Sequence, residues 1–167
     1  MGRPEVPADF AAAFPNLFPR ARSVAYRILG NPTEAEDAAA EALCRTLVAW
    51  RRVGPLPYRE AWVLRVAANV AVDLRRRRRP APAAQEAIPS AEEATAVRLA
   101  LAAALAALPR RQREAVVLQH LVGLPQDEVA AAMGVSVGSV KRHGHRGLDG
   151  LRERLGPEWR GVRGVAI

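Results

Sequence analysis

The sequence predicts an all-α protein built from two small helical domains on a flexible Pro/Ala linker, and three observations carry that prediction. No window alternates strictly between apolar and polar residues. Apolar positions recur every three or four residues, and few runs are β-branched. Between the two helical parts lies "PAPAAQEAIPSAEEATA" (80–96), which contains Pro80, Pro82 and Pro89 and has no helical stripe until its end, as an extended linker should. Charge divides the chain at the same place: residues 1–79 carry 14 basic and 8 acidic side chains, 80–96 carry 0 and 3, and 97–167 carry 11 and 6. Drawn out at ~3.1 Å per residue, 80–94 would span ~45 Å, comparable to the rise of about 13 base pairs.

Composition narrows the function classes. The chain has 167 residues, half of them hydrophobic, and a formal net charge of +8. That is enough apolar material for one core or two small ones, and the excess of arginine points to a polyanionic partner, nucleic acid ahead of an anionic membrane surface. The single cysteine, Cys44, excludes an intramolecular disulfide and a cysteine metal cluster, so the expected compartment is the cytoplasm. Packing inside a core is the expected fate of a lone helical cysteine. The first ten residues contain no apolar leader, and the longest apolar run, Leu99 to Leu108, is too short to span a bilayer, so no membrane is expected. No cofactor or metal is expected either, because His143 and His145 stand i, i+2 on a helix and point about 200° apart.

The first domain, 1–79, reads as three helices. Phe10, Phe14, Leu17, Phe18, Ala21, Val24, Ala25 and Ile28 form the stripe of the first, with Pro15 and Pro19 expected to break or kink its start and Gly30 to close it. "TEAE" (33–36) is a candidate capping box for the second helix, whose inward side carries Ala35, Ala38, Ala39, Ala42, Leu43, Leu47 and Trp50. The third begins near Tyr58 and carries Trp62, Val66, Val70 and Leu74 at spacings of four. It runs out through five successive arginines, Arg75 to Arg79, including Arg77. One or two arginines would complement a helix dipole; five form a cationic collar suited to backbone phosphates. Before it, "WRRVGPLPYR" (50–59) offers Trp50 and Tyr58 for base stacking beside three arginines, with core packing the competing role for Trp50.

The second domain, 97–155, reads as four helices followed by a short tail, 156–167. "VRLALAAALAAL" (97–108) is expected to be a buried helix ended by Pro109, and "RRQREAVVLQHL" (110–121) a scaffold helix stopped near Gly123. Pro125 suits a first helical position for a helix of barely two turns, Gly134 supplies the positive φ of a tight turn, and Ser136 caps the next helix. Ala130 at the crossing, Gly134 four later and Val140 six after that meet the spatial conditions of a helix-turn-helix. Beyond the Ser136 cap, Ser139, Lys141, Arg142, His143 and Arg146 would face a major groove, where Arg and Lys suit guanine edges. Gly144, Gly147 and Gly150 lie inside this helix at a cost of about 1 kcal/mol each relative to alanine, so its end is expected to fray until docked.

These residues resemble the extracytoplasmic-function (ECF) sigma factors, small two-domain members of the bacterial sigma-70 group. "GNPTEAEDAAAEAL" (30–43) and "AWVLRVAANVAVDLRRRRR" (61–79) resemble the family's second region, and 108–152 resembles its fourth; "RGLDGLR" (146–152) is similar to the actinobacterial SigE-like branch. The resemblance implies a promoter-recognition subunit that binds core RNA polymerase and promoter DNA, in a regulatory or stress response, and is not an enzyme. It implies that Asp37 and Glu41 dock on polymerase, that Asn69, Asp73, Arg75 and Arg76 meet the −10 element, and that the helix-turn-helix reads the −35 element. The family often has an anti-sigma factor that clamps both domains. Two departures stand out: Ala40 occupies a place usually held by Gln, and Lys141 is followed by Arg142 and His143 rather than Ser and Arg, so promoter sequence does not transfer. The competing class is a dimeric helix-turn-helix regulator acting without polymerase; it would need a dimerisation surface in 1–79, where the sequence instead places a basic helical unit.

Overall fold

A computed structural model describes residues 6–77 and 89–156, and every regular element among them is helical. In chain order these are α1 (Ala8–Leu29), α2 (Pro32–Val48), the single turn α3 (Trp50–Val53) and α4 (Arg59–Arg77), then α5 (Pro89–Ala107), α6 (Arg110–Val116), α7 (Gln126–Met133) and α8 (Val137–Leu155). The first four make one unit, in which α1, α2 and α4 pack mutually; the last four make another, in which α8 crosses α6 and α7.

Small residues set the spacing of the first unit. Ala21 and Ala25 of α1, Ala35, Ala38, Ala39 and Ala42 of α2, and Ala61, Ala67 and Ala71 of α4 are all buried, so the backbones approach closely, and Ile28 and Leu64 fill the remaining space. α1 runs unbroken through Pro15 and Pro19, contrary to the break expected from sequence. Both prolines and Ala11 lie on its exposed side, where water can take the carbonyls that a proline leaves without an amide partner. Gly30 ends the helix in the left-handed conformation at φ 70°. The cap of α2 also differs from the expected Thr33–Glu36 box: Asn31 is the N-cap, its side chain accepts from the Glu34 amide at 3.1 Å, and Pro32 takes the first helical position. Proline there is pre-set for the helix, so the chain starts turning two residues before Thr33.

α5 begins at Pro89, eight residues before the expected start at Val97, so helix occupies half of the expected 80–96 linker; the rest of that linker, Arg78 and Arg79 of the collar, and nearly all of the expected 156–167 tail lie outside the described residues. α5 is not buried all round either. Leu101, Ala102, Leu105 and Leu108 face the core while Val97 and Leu99 are exposed.

α6 passes directly into a π-helical turn, Val117–Leu121, closed by the Val122 amide on the Val117 carbonyl at 2.9 Å. α7 is the expected two-turn helix, Gly134 follows at φ 66°, and the Ser136 hydroxyl oxygen accepts from the Ser139 amide at 3.2 Å to start α8. α8 does not fray at its glycines: it is continuous to Leu155, and Gly144 and Gly147 are buried. A Cβ added to Gly147 would stand 2.6 Å from Val116 Cγ2 and 3.0 Å from the Gln112 carbonyl oxygen; one added to Gly150 would stand 2.9 Å from Leu108 Cδ2. The glycines at i, i+3 and i+6 therefore face Gln119 of the π-helical turn, α6 and Leu108 in that order, and packing outweighs their poor helix propensity.

Gly147→Ala should accordingly destabilise the protein by about 1–3 kcal/mol, although alanine is the better helix former. A fall in the denaturation midpoint at unchanged slope would establish the close approach, whereas a rise would mean that α8 stands farther from α6.

Candidate nucleic-acid interface

α8 is amphipathic by necessity, with its glycines, Val140 and Leu151 turned to the core and its cations outward. Lys141, Arg142, His145 and Arg146 line one shallow concave surface, all four exposed. The Arg142 guanidinium donates to the Ser139 hydroxyl at 2.9 Å, which orients it along the helix toward its start. His145 Nε2 lies 3.5 Å from an Asp149 carboxylate oxygen, and Arg152 reaches the same carboxylate at 2.7 Å. His145 is absent from the set expected at sequence level; its position four residues after Lys141 on one helical face was the available signal. His143, expected in that set, is half-buried and stands outside the concave surface, because one residue turns a helix by 100°. Ser136 and Ser139 are committed to the cap, their hydroxyl oxygens 3.0 Å apart.

The first unit presents two further surfaces. On α2, opposite its alanine face, Asp37, Ala40, Glu41, Cys44 and Val48 are exposed along one stripe at spacings of three and four. Val48 is 91% exposed, and Glu41 is paired with Arg45 at 2.8 Å. Cys44 is thus on the surface, not in the core where a lone helical cysteine was expected, because the buried arc of α2 is already taken by Ala38, Ala42 and Leu43. Ala40, Cys44 and Val48 escape a charge-based reading and supply the apolar part of this stripe.

The second surface lies along α4 and the turn before it. Trp50 is 4% exposed, its indole N–H donates to Asp9 Oδ2 at 2.9 Å, and its ring meets Phe10 edge-on with centroids 5.0 Å apart. That packing removes Trp50 from the expected stacking pair, and Tyr58 remains, half-buried, one residue before α4. Trp62 is also half-buried, with the Arg65 guanidinium 5.8 Å from its ring centre. Asn69 and Asp73 share a face with Arg65 at i, i+4 and i+8; Asp73 lies 3.8 Å from Arg76, and Arg76 and Arg77 are exposed while Arg75 is half-buried. Asn69 donates to a Glu114 carboxylate oxygen of α6 at 2.8 Å. Burial holds the guanidinium groups of Arg65 and Arg113 below the usual arginine value, opposed at Arg65 by the Glu114 carboxylate and at Arg113 by Asp73 and then Glu114.

An alanine-spaced helical unit with a basic helix end, and a second unit holding a capped helix-turn-helix with cations on its outer face, define a nucleic-acid-binding protein. Comparison with known proteins makes this definite. The family models for Sigma-70 region 2 and Sigma-70, region 4 match residues 16–81 and 98–149. RNA polymerase sigma-E factor of Streptomyces coelicolor is 35% identical over 136 residues, covering 78% of this chain and 77% of that protein. RNA polymerase sigma factor CarQ of Myxococcus xanthus is 32% identical over 156 residues, covering 86% and 90%. Among solved structures, CnrH in complex with the cytosolic domain of CnrY superposes with a TM-score of 0.62 at 25% identity, over 90% of this chain and 89% of that one.

The chain belongs to the ECF sigma factors of the sigma-70 family, within the actinobacterial SigE-like branch. It is a non-catalytic, cytoplasmic initiation factor that binds core RNA polymerase and directs it to promoters.

Replacing Arg146 with alanine should lower the slope of log affinity against log salt for duplex DNA by about 0.9 if it contacts a phosphate. His145→Ala should weaken duplex binding more than His143→Ala. Fluorescence anisotropy on a labelled duplex over a salt series reads both, and a larger loss at His143 would move the reading face by one helical position.

Proposed function

We propose a division of labour in which the first unit holds polymerase through the α2 stripe and meets the −10 element through α4, while the second reads the −35 element through α8. The observation that carries this reading is the separation of an exposed acidic and apolar stripe, Asp37–Glu41–Val48, from the cationic surfaces of α4 and α8. A protein surface and two DNA sites can then be engaged at once. Asp37 and Glu41 supply charge for a basic partner, and Ala40, Cys44 and Val48 supply the apolar contact that gives such a surface its affinity. On α4, Asn69 and Asp73 offer an amide and a carboxylate to base edges, with Arg75, Arg76 and Arg77 beside them for the backbone and Tyr58 for a displaced base. On α8, Lys141, Arg142, His145 and Arg146 take the groove-facing role, and Ser136 and Ser139 hold the helix start that approaches the backbone.

An anti-sigma factor is the expected regulatory partner, as the family resemblance implies; CnrH, which is similar to this chain, was solved with a protein partner, the cytosolic domain of CnrY. The promoter this factor selects depends on an α8 surface of its own, since Arg142 stands on it where the family usually has Ser.

Core RNA polymerase from a related bacterium should form a complex with the purified chain that survives moderate salt and co-migrates on gel filtration. Asp37→Arg and Val48→Glu should each weaken it by about tenfold or more, the second because a buried unpaired charge replaces an apolar contact. Co-migration unchanged in both variants would exclude the α2 stripe as the docking surface. Run-off transcription with the resulting holoenzyme then tests α4, where Asn69→Ala should reduce promoter opening without reducing core binding.

A further inference from the structure

The four side chains that line the concave surface of α8 are not held alike. Among the described residues, Lys141 and Arg146 take no hydrogen bond or ion pair, so each swings on its own stem. His145 leans on Asp149, a carboxylate that Arg152 also holds. Arg142 is tethered in a different way. Its Nη2 donates to the Ser139 hydroxyl at 2.9 Å, and that oxygen stands 3.0 Å from the Ser136 hydroxyl, which itself accepts from the Ser139 amide at 3.2 Å. A hydroxyl oxygen has one proton and two acceptor sites, so Ser139 can hold the guanidinium and Ser136 at once. The tether therefore ends on the capped first turn of the helix and not on a second mobile side chain.

Three consequences follow from that anchorage. The guanidinium is drawn toward the start of α8, and in a helix-turn-helix the first turns of the second helix are the part that reaches base edges. Only one of its five N–H donors is spent, so a planar fork with donors to spare stays exposed. An arginine ordered only on binding sets its lost rotamer freedom against the contact it makes, whereas one already placed loses less. Displacement of water from a groove also strengthens the hydroxyl bond that places it. A held fork suits the paired acceptors O6 and N7 of guanine. The unheld charges of Lys141 and Arg146 suit phosphates, which accept from many directions.

We propose that Arg142 is the base-reading residue of α8 and Ser139 its positioning residue, the pair selecting guanine at one position of the −35 element while Lys141 and Arg146 hold the backbone. This rests on the −35 reading of α8 given above and adds which side chain reads and which base it takes. Arg142 stands where the family usually has Ser, so the pair is a device of this chain.

Holoenzyme assembled from the full chain and core RNA polymerase is allowed to select from a pool of randomised duplexes, and the bound DNA is sequenced. The wild type should enrich an upstream block that contains a guanine. Arg142→Lys keeps the charge and loses the fork, and should lower enrichment of that guanine about tenfold while the rest of the block persists. Ser139→Ala should lower it at the same position by about threefold or more. Ser139→Thr, which keeps the hydroxyl, should restore it, and Ser139→Ala added to Arg142→Lys should cost nothing further. Ser136 still caps the Ser139 amide in all of these, and Arg142→Lys, at an exposed position, carries the test should Ser139→Ala fail to fold. A loss in Ser139→Ala that spreads evenly over the block, or that Ser139→Thr shares, assigns Ser139 to the helix start alone and overturns the proposal. A guanine preference indifferent to Arg142→Lys overturns it as well. Replacing Lys141, Arg142 and Arg146 together with alanine separates the two readings. A block that survives the triple replacement, or a wild type that selects no upstream block, refutes the assignment of α8 to the −35 element; a block lost in the triple variant but unmoved by the Ser139 and Arg142 variants refutes the pair and leaves that assignment standing.

Discussion

Close approach of helix backbones is the constraint on which the rest of this structure depends. In the first unit it is set by alanine on three helices, and in the second by the glycines of α8, with Gly147 against α6. Helices that pack this tightly leave no interior room for long side chains, so nearly every arginine is driven to a helix end or an outer face. The cationic surfaces of α4 and α8 are in this sense a by-product of how the core is built. The same small residues explain why a chain with only three tryptophans and three phenylalanines can hold two helical units together.

The exceptions to that rule are informative. Glu114, Arg113 and Thr46 are the charged or polar residues buried among the described positions. Thr46 is satisfied within its own helix by the Ala42 carbonyl at 2.7 Å. Glu114 instead gathers two guanidinium groups of its own helix, Arg110 and Arg111, and the Asn69 amide of the first unit, while Arg113 donates to the Leu108 carbonyl at 3.5 Å. A buried carboxylate with several donors is costly to leave unpaired. Tight packing within the units thus coexists with a polar contact between them.

Function follows from the surfaces that the packing leaves over. The exposed stripe of α2 is acidic and apolar, the outer face of α8 is cationic, and the end of α4 is cationic with an amide and a carboxylate just before it. The acidic and apolar surface and the two cationic surfaces thereby fall on different helices.

Much of this was legible from residue order alone. The all-α class, the helix-turn-helix at Ala130, Gly134 and Val140, the Gly30 and Ser136 caps and the basic end of α4 follow from periodicity, capping chemistry and charge, which act over one or two turns and need no knowledge of neighbours. Tertiary structure decided the rest. Whether Pro15 and Pro19 break α1 depends on which side of the helix meets water, whether Gly147 weakens α8 depends on what lies within 3 Å of it, and whether Trp50 stacks on a base depends on Asp9, forty-one residues away. Cys44 is exposed because its neighbours fill the buried arc of α2, and Asn69 meets Glu114 only because two units forty-five residues apart in sequence fold onto each other. Local free energies of helix formation are written in short stretches of sequence, but burial and long-range pairing are properties of the packed chain.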